Sequence, residues 1–164
     1  MSLLKVNAIQ STSGVDNRGK ILQVVTVQYD TTTSVSSSTY IDLYSATIQP
    51  LYSTSRIMII STVAFSGKGG FTVVRGATDL FPASKTYAFY PASATQSGWN
   101  SGSLRGFYTL STIDSPGTTS LITYTTRLRS YGTIVGDQGG VNELDNASGT
   151  GHQGTRMILM EIAA

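Results

Sequence analysis

Ser120-Leu121-Ile122-Thr123-Tyr124-Thr125-Thr126-Arg127-Leu128-Arg129-Ser130 alternates with a period of two: Ile122, Tyr124 and Leu128 fall on one side, Thr123, Thr125, Arg127 and Arg129 on the other. A strand with one dry and one wet face belongs to an antiparallel sheet. The same period extends outward along the chain. It groups Ile21, Val25, Val27 and Tyr29 over 20–29, Tyr40, Tyr44, Ala46 and Ile48 over 40–48, and Ile57, Ile59, Val63 and Phe65 over 57–65. Further strands are predicted at 71–77, 86–90, 104–113, 132–135 and 155–162, each bounded by Gly, Pro, Asp, Asn or Ser. No stretch holds an apolar period of 3.6 over three turns, so the crossover helices that a parallel sheet needs are missing. Asp114-Ser115-Pro116-Gly117 supplies a turn in which Pro116 presets φ and Gly117 accepts a positive one. The predicted fold is all-β, an antiparallel β-sandwich of jelly-roll type spanning 20–164, behind a short N-terminal arm, 1–19.

Composition narrows what such a sandwich does. Charged residues are 12% of the 164, about half of the ~25% usual for a soluble domain, while serine and threonine exceed a quarter. Solubility rests on hydroxyls and backbone. A surface so poor in charge has few defences against self-association, which implies that part of it is covered by other subunits. The length suits one domain with its own core, and the absence of cysteine excludes disulfides and thiol chemistry without indicating a compartment. A net charge of +2 is too small to suggest a nucleic-acid partner, and Arg127 and Arg129, the nearest approach to a basic cluster, read as a solvated face or a salt bridge between subunits. No apolar run approaches the ~20 residues of a membrane span, and residues 1–20 lack a signal-peptide core. The expectation is a chain made in the cytoplasm that stays soluble or is assembled there.

Side chains that perform chemistry are scarce. Nine carboxylates and one histidine, His152, leave few groups for acid–base work, so the expectation is a protein that is not an enzyme. Gly149-Thr150-Gly151-His152-Gln153-Gly154 matches G-x-G-x-x-G, but it follows a loop and precedes the last strand instead of opening a helix. Ser66-Gly67-Lys68-Gly69-Gly70 lacks Walker spacing and reads as a glycine-rich hairpin. No G-x-S-x-G elbow offers His152 a nucleophile. Asp137, Glu143 and Asp145, with Asn142 and Asn146, form the one acidic cluster; its chemistry would suit calcium or a carboxylate pair acting on a glycan, but the order of a calcium loop is absent and a solvated loop is the default. No cofactor or metal is assigned. Tyr87, Phe89, Tyr90 and Trp99 concentrate aromatic surface in the loop region 81–103, either as packing over the sandwich or as anchors for a ligand. Leu3, Leu4, Val6 and Ile9 give the chain an apolar start, read either as a frayed terminus or as an arm docked on a neighbour.

Several stretches resemble a family of β-rich virion proteins encoded by cyanophages and other aquatic phages. They are Gly19-Lys20-Ile21-Leu22-Gln23-Val24-Val25, Ile48-Gln49-Pro50 with Ser53-Thr54-Ser55-Arg56-Ile57, Val74-Arg75-Gly76, Asp114-Ser115-Pro116-Gly117-Thr118-Thr119-Ser120 with Thr123-Tyr124, and Ile158-Leu159-Met160-Glu161-Ile162. In order and spacing they cover 19–164, and the opening Leu3-Leu4-Lys5-Val6-Asn7-Ala8-Ile9-Gln10 is similar to starts in the same proteins. The resemblance implies a jelly-roll-like head, a homotrimer on the virion surface, and no catalytic residues. This chain has no shaft or long repeat region, which favours a capsid decoration, or cement, protein over a short tail fibre or receptor-binding tip. The implied partners are other copies of the chain, the major capsid protein or tail proteins and, for a fibre tip, a host surface glycan.

Overall fold

A computed structural model describes residues 19–31, 33–66, 69–81, 88–89, 105–130, 139–141 and 154–164. Among these residues there are eleven strands and no helix: β1 (Ile21–Gln28), β2 (Thr33–Val35), β3 (Ile41–Ile48), β4 (Arg56–Ser66), β5 (Gly69–Arg75), β6 (Thr78–Asp79), β7 (Ala88–Phe89), β8 (Arg105–Asp114), β9 (Ile122–Ser130), β10 (Gly139–Val141) and β11 (Arg156–Ile162). Every pairing is antiparallel. In the first sheet β1 pairs β11, β11 pairs β4 and β4 pairs β8 along its whole length, while β10 and β2 extend the columns of β11 and β1 beyond Thr62 of β4. In the second, β3 pairs β9, β9 pairs β5, and β6 and β7 sit at opposite ends of β5. The order β1-β11-β4-β8 facing β3-β9-β5-β7, with the chain changing sheet between successive members of these eight strands except from β5 to β7, is the jelly roll.

Alternation decides what fills the space between the sheets. Ile122, Tyr124, Leu128, Ile57, Ile59, Val63, Met157, Leu159, Phe71 and Val73 are buried there, as the period of two requires. Two bulges correct the predicted faces. Leu22 is an extra residue in β1, so Val25, Val27 and Tyr29 pack on the core while Ile21 turns outward and is more than half exposed. Leu43 is an extra residue in β3; Ile41 meets Leu128 on the inner side and Tyr40 faces out, its ring 4.6 Å from the Arg129 guanidinium. The glycine-rich segment 66–70 is no hairpin, because β4 and β5 lie in different sheets and the chain crosses between them there. Strands β2, β6 and β10, two or three residues long, lie outside those predicted from sequence. Gly117 takes the positive φ expected of it, at 69°.

Hydroxyls join the sheets through the core. Tyr44, stacked on Tyr29 with ring centroids 5.6 Å apart, donates from its hydroxyl to the Arg156 carbonyl at 2.9 Å, and lies 3.0 Å from Ser61 Oγ, which is 2.8 Å from Thr126 Oγ1. At the end where β5 and β8 finish, Asp114 accepts from Arg75 Nε at 2.7 Å and from the Tyr124 hydroxyl at 2.8 Å. Burial raises both phenols above their ordinary range, with Asp114 pushing Tyr124 further in the same direction and Arg75 opposing it. Neither phenol ionises near neutrality, and both serve as hydrogen-bond partners.

Candidate interaction surface

The two outer faces of the sandwich differ in chemistry. On the second sheet the outward residues of β3 and β9 are polar and satisfy one another: Ser45 Oγ is 2.8 Å from Thr125 Oγ1, and Arg127 Nε donates to Asp42 at 2.6 Å. Arg127 and Arg129 thus meet Asp42 and the Tyr40 ring of their own chain. On the first sheet one register row runs Val24, Met160, Met58, Ile113 across four strands. At a strand spacing of about 4.8 Å that row is about 14 Å wide and holds no charge. The row beside it reads Thr26, Ile158, Ile60, Ser111, and the row on the other side reads Ile21, Ile162 and the exposed Arg56.

This apolar band continues over one end of the molecule. Gly19 N–H donates to the Ala163 carbonyl at 2.8 Å, so residues 1–18 depart beside the last residue pairs of β1 and β11. The 49–55 turn and the 115–121 connection lie at the same end, since Ile48 is paired with Ile122 and Ile57 with Asp114. Of the seven large hydrophobic side chains exposed among the described residues, five are here: Ile21, Leu51, Tyr52, Ile113 and Leu121. Monomeric proteins rarely gather so many exposed large apolar side chains at one end. Glu161, fully buried, organises the turn. It accepts Gln23 Nε2 at 2.6 Å on one oxygen and, on the other, the N–H groups of Leu51 at 2.8 Å and Tyr52 at 3.4 Å. Burial alone would raise this carboxyl, but the bonds from Gln23, Leu51 and Tyr52, with the Ser55 hydroxyl nearby, outweigh it and hold the group below the usual carboxylate range.

The sites proposed from sequence are placed unevenly. Leu3, Leu4, Val6 and Ile9, the aromatics Tyr87, Tyr90 and Trp99, the acidic cluster Asp137, Glu143 and Asp145, and His152 lie outside the described residues. Phe89 is placed in β7, its backbone opposite Gly69, at the end of the sandwich away from Gly19. Of the G-x-G-x-x-G match only Gly154 is described; it leads directly into the last strand, and the Phe107 ring lies where its Cβ would be. Among the described residues no group of three metal-ligating side chains occurs, and no helix is long and apolar enough to cross a membrane. Sequence reasoning misses the surface itself: Met58, Ile60, Ile158, Met160 and Ile162 look like core letters until the register shows them on the outer face. Glu161 leaves one signal in the sequence, an acid on the inward parity of Met157 and Leu159.

No family model matches the sequence, and no curated protein matches it. Among solved structures the chain is similar to the VP2 subviral particle of infectious bursal disease virus, with a TM-score of 0.39 at 13% identity, covering 99% of this chain and 42% of that one. The structure of the Gx strain of the same virus gives a TM-score of 0.42 at 13% identity over 99% of this chain and 41% of that one. The chain therefore spans about two fifths of the length of these proteins.

Proposed function

We propose that the chain is a non-enzymatic structural protein of a bacteriophage virion, a homotrimeric capsid decoration (cement) protein on the virion surface that docks on the major capsid protein. The observation that carries this reading is the gathering of exposed apolar side chains at the end from which residues 1–18 depart, on a molecule whose second sheet presents polar side chains along β3 and β9. The resemblance of residues 19–164 to phage virion proteins supports it from sequence. In the proposed contact, Leu3, Leu4, Val6 and Ile9 of each copy are buried together with that end against the capsid. Each such side chain removed from water contributes about 1.5–3 kcal/mol, and three linked copies make dissociation rare. Deleting residues 1–17 is expected to leave a folded trimer that no longer binds particles; retained binding would mean that the arm is not the attachment.

A short tail fibre or receptor-binding tip is the second reading, favoured by the position of β7. It pairs with Gly69 and Gly70, at the end opposite Gly19, so Phe89 of the proposed ligand-binding set stands where a tip attached through its arm would meet a receptor. Binding to a host surface glycan on an array, abolished by Trp99→Ala, would establish that reading over cement.

A further inference from the structure

The 49–55 turn is fixed by a buried side chain where no strand pairing holds it. Gln23 of β1 donates to the Gln49 carbonyl at 2.7 Å and to Glu161 of β11, and Glu161 takes the N–H groups of Leu51 and Tyr52. The backbone of the turn therefore faces inward onto a carboxylate while both side chains stand in water, more than half exposed. A shallow recess lined by Tyr52, Thr54, Ser55, Ala163 and Ala164 opens beside them, so the pair forms a ridge with a hollow next to it. An apolar residue at 161 would simply continue the core row of Met157 and Leu159. A carboxylate there carries a desolvation cost that only its hydrogen bonds offset, and what those bonds define is one conformation of this turn.

Resting on the reading that this end docks, we propose that Leu51 and Tyr52 are the specificity element of the contact, and that Glu161 is their positioning residue. The partner surface they fit is an apolar recess with a hydrogen-bond partner for one phenol, without charge opposite Leu51. The groups that face the carboxylate are Gln23 from β1 and the Leu51, Tyr52 and Ser55 groups of the turn, none of which ionises in the acid range.

The test pairs amide NMR of the full-length chain with binding to particles stripped of the protein. In the wild type the Leu51 amide shift is expected to titrate below the ordinary carboxylate range. In Glu161→Gln it stays flat there, exchange of the Leu51 and Tyr52 amides speeds up at least about tenfold while core amides are unchanged, and particle affinity falls by about tenfold or more. The double variant L51A/Y52A keeps its core protection and loses binding. Undiminished binding by either variant overturns the specificity role, and an unchanged turn in Glu161→Gln overturns the positioning role. If the wild type binds no particle, the docking reading fails while the amide measurements still decide whether Glu161 holds the turn.

Discussion

Three polar side chains show how single residues hold this sandwich. Tyr44 donates across the sheets to the Arg156 carbonyl, so Tyr44→Phe keeps the stacked ring and loses the hydroxyl bridge. The expected loss is about 1–3 kcal/mol in urea unfolding, because Ser61 and the carbonyl keep their burial and lose a partner. Tyr124→Phe is expected to cost less, about 1–2 kcal/mol, since Asp114 retains Arg75. Glu161 governs acid stability. Its folded-state carboxyl titrates below its unfolded value, so its contribution is complete above the ordinary carboxylate pKa and disappears as pH falls through the lower, folded value. Acid unfolding of the wild type against Glu161→Gln checks this: the two curves should converge only below about pH 4, and a constant difference down to lower pH would contradict it.

At the scale of strands, β9 carries the core and the β1-β11-β4-β8 sheet carries the outward apolar row, exposed at Val24 and Ile113 and half-buried at Met160 and Met58. Leu128→Ala removes a fully buried side chain between the sheets and is expected to cost about 2–5 kcal/mol, read from the denaturation midpoint. Met160→Lys, in the row between Val24 and Met58, places its charge in water and should change stability by less than about 1 kcal/mol. Sedimentation velocity should show weaker self-association or particle binding for it; assembly equal to wild type would mean that the row faces solvent. The long strands are legible because their period of two survives over seven residues or more, as in 122–130 and 156–162. Periodicity alone puts Ile21 and Tyr40 on the wrong face because a bulge adds one residue and reverses parity, and nothing in Leu22 or Leu43 marks that insertion. The 66–70 segment resembles a hairpin because glycine signals a turn without saying which sheet the chain enters next. The candidate surface is legible only as a shortage of charge, since its location depends on register across four strands.

For the whole molecule, the asymmetry among the described residues is the organising fact: polar outward side chains on β3 and β9 of the second sheet, an apolar band across the first, and an apolar end from which residues 1–18 depart. A jelly roll of this kind solves its own folding and leaves, among the described residues, an apolar region that water does not favour. On the proposed reading, three copies that assemble and dock on a capsid cover that region. Labelling a small C-terminal tag on intact virions and counting the sites by electron microscopy tests this most directly. Label spread over the head in multiples of three is the predicted result; label confined to the tail, or absent from the particle, would contradict it.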